Sequence, residues 1–230
     1  MARFIDLNAD VGESAQRWAS GEDADLLEVV TSANVSTGAY AGDDELIAAT
    51  CAAAARLGVR VGAQVGYPDR EGFGRRSMEF APNDLADEIR RQIRHLTDLA
   101  AQVEAEVAYV KPHGALYHRI IHDPAQAQGV RDAVGDLPLM GMAGTLPAGR
   151  PPDIGEGFAD RGYADETSLI PRGEPGDLLT DPSDVAAQAV RLLERGVDSI
   201  CVHSDSPDAV ALARAARAAL EAAGAEVRHP

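Results

Sequence analysis

Short apolar runs alternate with amphipathic stretches along the whole chain. Phe4–Asn8, Glu28–Asn34, Val59–Gln64, Glu106–Lys111, Leu137–Ala143, Ile154–Phe158 and Ser199–His203 predict strands, and Val227 predicts a short final one. Asp43–Leu57, Asn83–Val103, Pro124–Val134, Ser183–Arg195 and Pro207–Ala223 predict helices. End signals support several of these. Asp43 and Asp44 open the first predicted helix, where carboxylates suit the orphan N–H groups, and Gly58 closes it. Asn83 is the expected cap of the second, and the turn Asp181-Pro182-Ser183 that of the fourth. Alternation of strand and helix implies a parallel sheet with right-handed crossovers. The strands are nearly all apolar, as expected when both sheet faces are covered. About seven of them in 230 residues favour a single α/β domain over 1–230, a closed or distorted β/α barrel. No linker or repeat divides the chain, and Pro147–Gly157 reads as a surface loop.

Polar residues cluster where strands end. The first strand runs into Asp6-Leu7-Asn8-Ala9-Asp10-Val11-Gly12-Glu13 and the third into Gly62-Ala63-Gln64-Val65-Gly66-Tyr67. The fourth gives Lys111-Pro112-His113-Gly114 and the last Val202-His203-Ser204-Asp205. Parallel α/β folds bind ligands at the carboxyl ends of their strands, so these segments are expected to meet at one rim. Asp10, Glu13, Lys111 and His113 are the candidate chemical core. Asp6, Asn8, Tyr40, Gln64, Arg75, His203 and Asp205 are candidates for shaping the substrate pocket. Asp205 has a second reading as the cap of the last helix.

Composition narrows the function. A net charge of −16 argues against nucleic acid or an anionic membrane as partner. The N-terminus lacks the apolar core of a signal peptide and no long apolar run is present, so a cytoplasmic protein acting on small molecules is expected. Cys51 and Cys201 show no metal-type spacing and read as buried, reduced thiols. Of 21 basic residues, 20 are arginine and one, Lys111, is lysine. Position 111 therefore suits a compact point charge of tunable pKa rather than a broad guanidinium.

Other polar segments are less specific. Tyr67–Arg76 carries three arginines, which suit either carboxylate and phosphate binding or a salt-bridged surface loop. Glu156–Tyr163, then Leu169-Ile170-Pro171-Arg172, is a further polar cluster. His118 and His122 are four apart without a third ligand nearby, and with His95 and His229 they read as surface. No P-loop, nucleophile-elbow or C-x-x-C motif occurs.

Seven stretches, in order, resemble the lactam-utilisation family, whose members include the A subunit of 5-oxoprolinase. They are DLNADVGE (6–13), SANVSTGAYAGD (32–43), GAQVGYPD (62–69), GFGRR (72–76), VKPHGALY (110–117), EGFADRGY (156–163) and ICVHSDSP (200–207). The resemblance implies a barrel of the glycoside hydrolase and deacetylase type. It implies ATP-dependent opening of 5-oxoproline to glutamate, with ATP and Mg in a complex with partner subunits B and C. The family usually reads CGFHAGD and GAHPGYPD, so Tyr40 and Gln64 stand at two histidine positions. Ser204 stands where the family's closing VHGD has glycine. Related deacetylases hold a metal through aspartate and histidines. Without those two histidines no tightly bound metal is expected here, since an amide is a poor ligand. Other readings stay open: a paralogue acting on another lactam or cyclic amide, a non-catalytic partner protein of such a complex, or a different enzyme on the same barrel. The sequence leaves the oligomeric state open.

Overall fold

The computed structural model describes residues 3–229. Its elements, in chain order, begin with β1 (Arg3–Val11), α1 (Ala15–Ser20), α2 (Glu22–Leu27), β2 (Ser32–Ser36), α3 (Asp44–Leu57) and β3 (Arg60–Val65). Next come α4 (Pro82–Ala101), β4 (Val107–Pro112), α5 (Gly114–His122), α6 (Pro124–Val134) and β5 (Met140–Met142). The chain closes with β6 (Ile154–Phe158), β7 (Tyr163–Asp165), β8 (Ser168–Leu169), α7 (Pro182–Arg195), β9 (Ser199–Cys201), α8 (Ala209–Ala222) and β10 (Ala225–Val227).

Seven strands pair in parallel in the order β4-β3-β2-β1-β9-β6-β5. A single bridge between Val110 and Leu139 joins the two ends, so the sheet is a nearly closed barrel. The β10 strand pairs with Arg3–Ile5 of β1, below the point where β9 takes over at Asp6. Two-residue alternation along each strand then decides what faces where. Leu7, Ala9 and Val11 join the buried apolar cluster, with Ile47, Ile89, Leu116 and Leu212 contributed by helices. Asp6, Asn8 and Asp10 alternate with them and point the other way, into a polar barrel interior.

The helices cover the barrel with amphipathic faces. In α4 the buried positions Leu85, Ile89, Gln92, Leu96 and Leu99 recur at three- and four-residue spacing. Each fully buried Leu or Ile there is worth about 1.5–3 kcal/mol. Asp43 caps α3 by accepting from Leu46 N at 2.9 Å, and Gly58 ends it at φ 68°. Asp181 caps α7 as expected, through Ser183 N.

The differences from expectation have local causes. Residues 28–31 are not strand, because Glu22–Leu27 is a helix that delivers the chain to β2 at Ser32. Asn83 is not a cap: Pro82 sits at the first helical position and Ala81 precedes it, with no side-chain cap bond. The α5 helix begins at Gly114 directly after β4, without a side-chain cap. No helix among the described residues is long and apolar enough to cross a membrane.

Candidate active site

The barrel interior carries a column of polar side chains rising along β1. At its foot Asp6 accepts from Thr31 and Ser32 at 2.7 Å each, and from Ser199. In the middle Asn8 donates to Ser199 Oγ at 2.7 Å and accepts from Asn34 at 2.7 Å. At the top Asn34 also donates to Asp10 at 2.8 Å, while Tyr109 donates to Asn34 at 2.7 Å. Closely packed Gly62 makes room for Tyr109, since a Cβ there would lie 2.2 Å from the ring. Only Asp10 of this column reaches the open rim. Asp6 and Asn8 lie beneath it as supports.

Lys111 enters the interior from β4, buried to 2% exposure. Its Nζ lies 2.7 Å from Glu156 Oε1, close enough for an ion pair although not aligned for a hydrogen bond. It donates to Asp10 at 3.2 Å, to Asn8 Oδ1 at 3.3 Å and to Cys201 Sγ at 3.3 Å. Four acceptors surround three donors, so Lys111 offers a ligand its charge rather than free hydrogen bonds. Burial disfavours the ammonium, but Asp10, Cys201 and Glu156 outweigh it and hold its pKa well above the usual lysine range. Burial likewise opposes ionisation of Asp10, and the Lys111 charge overrides it, so this carboxyl sits well below its ordinary value.

Glu13 is driven the other way. Burial, then the charges of Asp10 and Asp205, push its carboxyl well above the glutamate range. It faces a chain of side chains. Tyr40 Oη lies 3.3 Å from Glu13 Oε1 and donates to Gln64 Oε1 at 2.7 Å. Gln64 Nε2 lies 3.3 Å from His113 Nδ1, and His113 Nε2 lies 2.9 Å from the Phe73 carbonyl. A carbonyl only accepts, so His113 carries its proton on Nε2 and presents Nδ1 as an acceptor. Burial lowers His113 to about 4 and keeps it neutral. Gly74, at φ 65°, permits this packing, because a Cβ there would lie 3.0 Å from the His113 ring.

The opposite wall holds a second histidine. His203 Nδ1 lies 3.0 Å from Asp160 Oδ1, and Asp160 also accepts from His203 N at 3.0 Å and from Ser206. Burial disfavours the imidazolium, yet Asp160 more than compensates, raising the His203 pKa. Phe158 stacks on the ring at 5.2 Å. Asp205 pairs with Arg75 at 2.5 Å and with Arg172 at 3.7 Å. It does not cap α8, whose N-cap residue is Asp208.

These groups border one cavity of about 560 Å³. Of the residues singled out in the sequence, Asp10, Glu13, Gln64, Arg75, Lys111, His113, His203 and Asp205 line it. Asp6, Asn8 and Tyr40 do not, though Tyr40 reaches it through Gln64 and Glu13. His118 is exposed, as expected, and stands at the border of the cavity. Of the three loop arginines only Arg75 faces it. Arg70 donates to the carbonyls of Gly38 and Gly42, and Arg76 pairs with Asp69 and Glu71. Glu156, Asp160, Arg161 and Arg172 were not singled out individually. All four lie in the polar cluster formed by 156–163 and 169–172, which is the signal the sequence offers.

Among the described residues, two sets of donor atoms lie close enough together to hold a metal ion: Asp10, Cys201 and His203, and Asp10, Glu13 and His113. In the first, the Lys111 ammonium already rests against Asp10 and Cys201. In the second, burial and neighbouring charge favour a protonated Glu13, which is a poor ligand. The donor chemistry thus fits a built-in ammonium better than a metal cation.

Comparison with known proteins places the chain. The LamB/YcsF family profile matches residues 5–230. The A subunit of 5-oxoprolinase from Streptomyces avermitilis is 46% identical over an aligned length of 247, spanning 97% of this chain and 98% of that protein. The crystal structure of a lactam utilization protein from Thermus thermophilus superposes with a TM-score of 0.86 at 35% identity, covering 99% and 100% of the two chains. A peptidoglycan deacetylase from Bacillus subtilis shares the fold alone, with a TM-score of 0.54 at 11% identity over 99% and 88% of the chains. The barrel, its order of motifs and these likenesses agree: the chain belongs to the LamB/YcsF family of lactam-utilisation proteins.

Proposed function

We propose that this chain serves as the A component of an ATP-dependent 5-oxoprolinase, opening 5-oxoproline to L-glutamate together with partner subunits B and C. A cytoplasmic location goes with this reading. The observation that carries it is the pair of carboxyls at the end of β1. The Lys111 ammonium, 3.2 Å away, holds the Asp10 carboxyl well below the usual range, while burial and the Asp10 charge raise Glu13 well above it, across one cavity of a size for a small cyclic amide. Two carboxyls driven apart in pKa are the arrangement expected of groups with different roles in proton transfer.

A five-membered lactam is a stable amide, so water does not open it unaided. ATP, with Mg in the assembled complex, would supply the activation by phosphorylating the lactam oxygen, and the basic cavity lining suits such oxyanions. Asp10 then orients water, and its ionised state places negative charge where the attacking oxygen gives up a proton. Lys111 contributes positive charge beside it. Glu13 and the His203–Asp160 pair are the proton donors for the ring nitrogen as the C–N bond breaks, leaving γ-glutamyl phosphate (ADP having departed at phosphorylation), which a second water splits to L-glutamate and phosphate. Neutral His113 holds the Glu13 side of the cavity in place.

The test is glutamate release from 5-oxoproline and ATP, using this chain mixed with its cognate B and C subunits. Release above that of a mixture lacking this chain is expected. No release from a folded, assembled complex overturns the reading. One observation favours a second reading, another lactam or cyclic amide as substrate. Tyr40 and Gln64, both at positions where the family pattern has histidine, contact each other at 2.7 Å and remodel the Glu13 wall as a unit. Turnover of a different lactam, with 5-oxoproline inert, would select it.

A further inference from the structure

The molecule carries a net charge of −16, yet its cavity reverses that bias. Arg75, Lys111, Arg161 and Arg172 line it, against the carboxyls of Asp10, Glu13 and Asp205. The cations are not equally matched. Lys111 has Asp10 and Glu156. Arg75 and Arg172 share the single carboxylate of Asp205, at 2.5 and 3.7 Å. Arg161 is only 4% exposed and has no carboxylate within 4 Å among the described residues. Its Nε donates to the Asp177 carbonyl at 2.9 Å and one terminal nitrogen to the Ile170 carbonyl at 3.1 Å. These bonds fix the guanidinium plane, and its other terminal nitrogen has no partner among the described residues. Among the described residues, Asp205 is the carboxylate of this end that pairs directly with guanidiniums, and Asp160, Asp177 and Asp205 reach Arg161 only through longer-range charge.

A buried, rigidly held cation that makes no direct ion pair is costly to maintain, and it becomes favourable when a ligand supplies a close counter-charge. The same end is walled by Leu169, Ile170 and Pro171, which exclude water and strengthen the charge interaction. We propose that Arg161 and Arg172 form an oxyanion subsite that grips a ligand's carboxylate or phosphoryl group, and so restricts this site to anionic ligands. On the lactam reading, on which this choice of substrate rests, the ligand is a lactam acid held by its carboxylate, with the amide directed toward Asp10 and Glu13. Arg172 is the mobile member, since its hold on Asp205 is already loose, and Arg161 is the fixed one.

The experiment is calorimetric binding to the full-length chain with four probes. They are 5-oxoproline, pyrrolidinone (the same ring without a carboxylate), inorganic phosphate and Mg-ATP. Binding is compared for the wild type, Arg161→Gln and Arg172→Gln. Removing a charge-assisted contact should weaken the oxyanion probes roughly tenfold or more in Arg161→Gln, with a smaller loss in Arg172→Gln. Loss of 5-oxoproline affinity identifies a carboxylate site, and loss confined to phosphate or Mg-ATP identifies a phosphoryl site. Phosphate binding that depends on Arg161, with 5-oxoproline bound by no form, keeps the subsite and removes the lactam reading. Equal affinity of every oxyanion probe for wild type and both variants overturns the proposal, as does failure of all three anions to bind the wild type. Pyrrolidinone bound as tightly as 5-oxoproline overturns the carboxylate assignment. Arg172 lies on an exposed loop, so its variant folds even where Arg161→Gln does not, and its loss of affinity alone decides the matter.

Discussion

The His113 imidazole lies flat against the Tyr40 ring, with centroids 3.9 Å apart and planes 3° from parallel. Phe73 meets both rings edge-on, at 5.6 Å from Tyr40 and 5.3 Å from His113. The stack fixes the imidazole plane, and the Tyr40 hydroxyl fixes Gln64, which in turn faces His113 Nδ1. Tyr40 therefore positions His113 twice, through its face and through its hydroxyl.

Removing only the hydroxyl separates the two effects. Tyr40→Phe keeps the stack and leaves the buried Gln64 Oε1 without its donor, which should cost about 1–3 kcal/mol. The variant is expected to melt several degrees lower, with 5-oxoproline turnover reduced. An unchanged melting temperature would show that Gln64 finds another donor and that the hydroxyl holds nothing in place.

Lys111 is the position where arginine should fail. Four acceptors within 3.3 Å surround a compact ammonium, and a guanidinium's planar fork does not fit among them. Lys111→Arg is expected to lose activity and stability together. Lys111→Met leaves Asp10 beside Glu156 with no cation between them, and should destabilise by about 3–5 kcal/mol, as for other broken buried pairs. Chemical denaturation of the three proteins checks this, and wild-type stability of Lys111→Arg would remove the case for a required lysine.

The sequence made the site legible where chemistry followed strand periodicity. Asp10, Lys111, Gln64 and His203 stand at or just beyond strand ends, and the barrel brings them together. Asp6 and Asn8 share the same face of β1 as Asp10, so alternation alone could not tell the rim from the interior below it. Glu156 was missed as a Lys111 partner because a lone acid between glycines on β6 gives no periodic signal. Arg161 and Arg172 reach the cavity through the irregular segment around β7 and β8, whose path depends on tertiary contacts such as Gly162 N to Asp177 O. The α5 helix was hidden for a related reason: it starts against β4 with His113 as an N-cap residue that makes no cap bond. Asp205 left two readings open until Arg75, 130 residues away in sequence, was seen beside it.

Glu13 and His113 should give the fold opposing pH dependences. His113 is lowered to about 4 from 6.5, so between those values the unfolded chain binds more protons and stability rises with pH. Glu13 is raised above 4.5, so above that value the folded chain keeps a proton that the unfolded chain has lost. Its contribution is present at low pH and is lost as pH rises through the folded value. Glu13→Gln removes only this second dependence. Relative to wild type, the variant should gain thermal stability as pH rises above 4.5 toward the raised folded-state value, while its turnover falls by roughly 10²–10⁴-fold if Glu13 is a proton donor. A constant difference in melting temperature across that range would mean that Glu13 is ionised in the folded protein.

Asp160 should control the protonation of His203. Its charge holds the imidazolium against burial, so Asp160→Asn lets burial lower the His203 pKa. If protonated His203 assists departure of the ring nitrogen, the alkaline limb of the kcat/KM profile moves to lower pH in the variant. Stability changes in the same sense. A raised histidine pKa stabilises the fold fully below 6.5, and that contribution fades as pH rises through the folded value. The variant's deficit against wild type is therefore largest in acid and shrinks toward alkaline pH. A remainder of about 1–3 kcal/mol persists at every pH, because the amide cannot satisfy His203 N, His203 Nδ1 and Ser206 together. The pH profile separates the two roles, since loss of the structural bonds alone lowers stability without moving the limb. A limb that stays in place while stability drops would make Asp160 a support for the 203–206 turn and leave proton donation to Glu13.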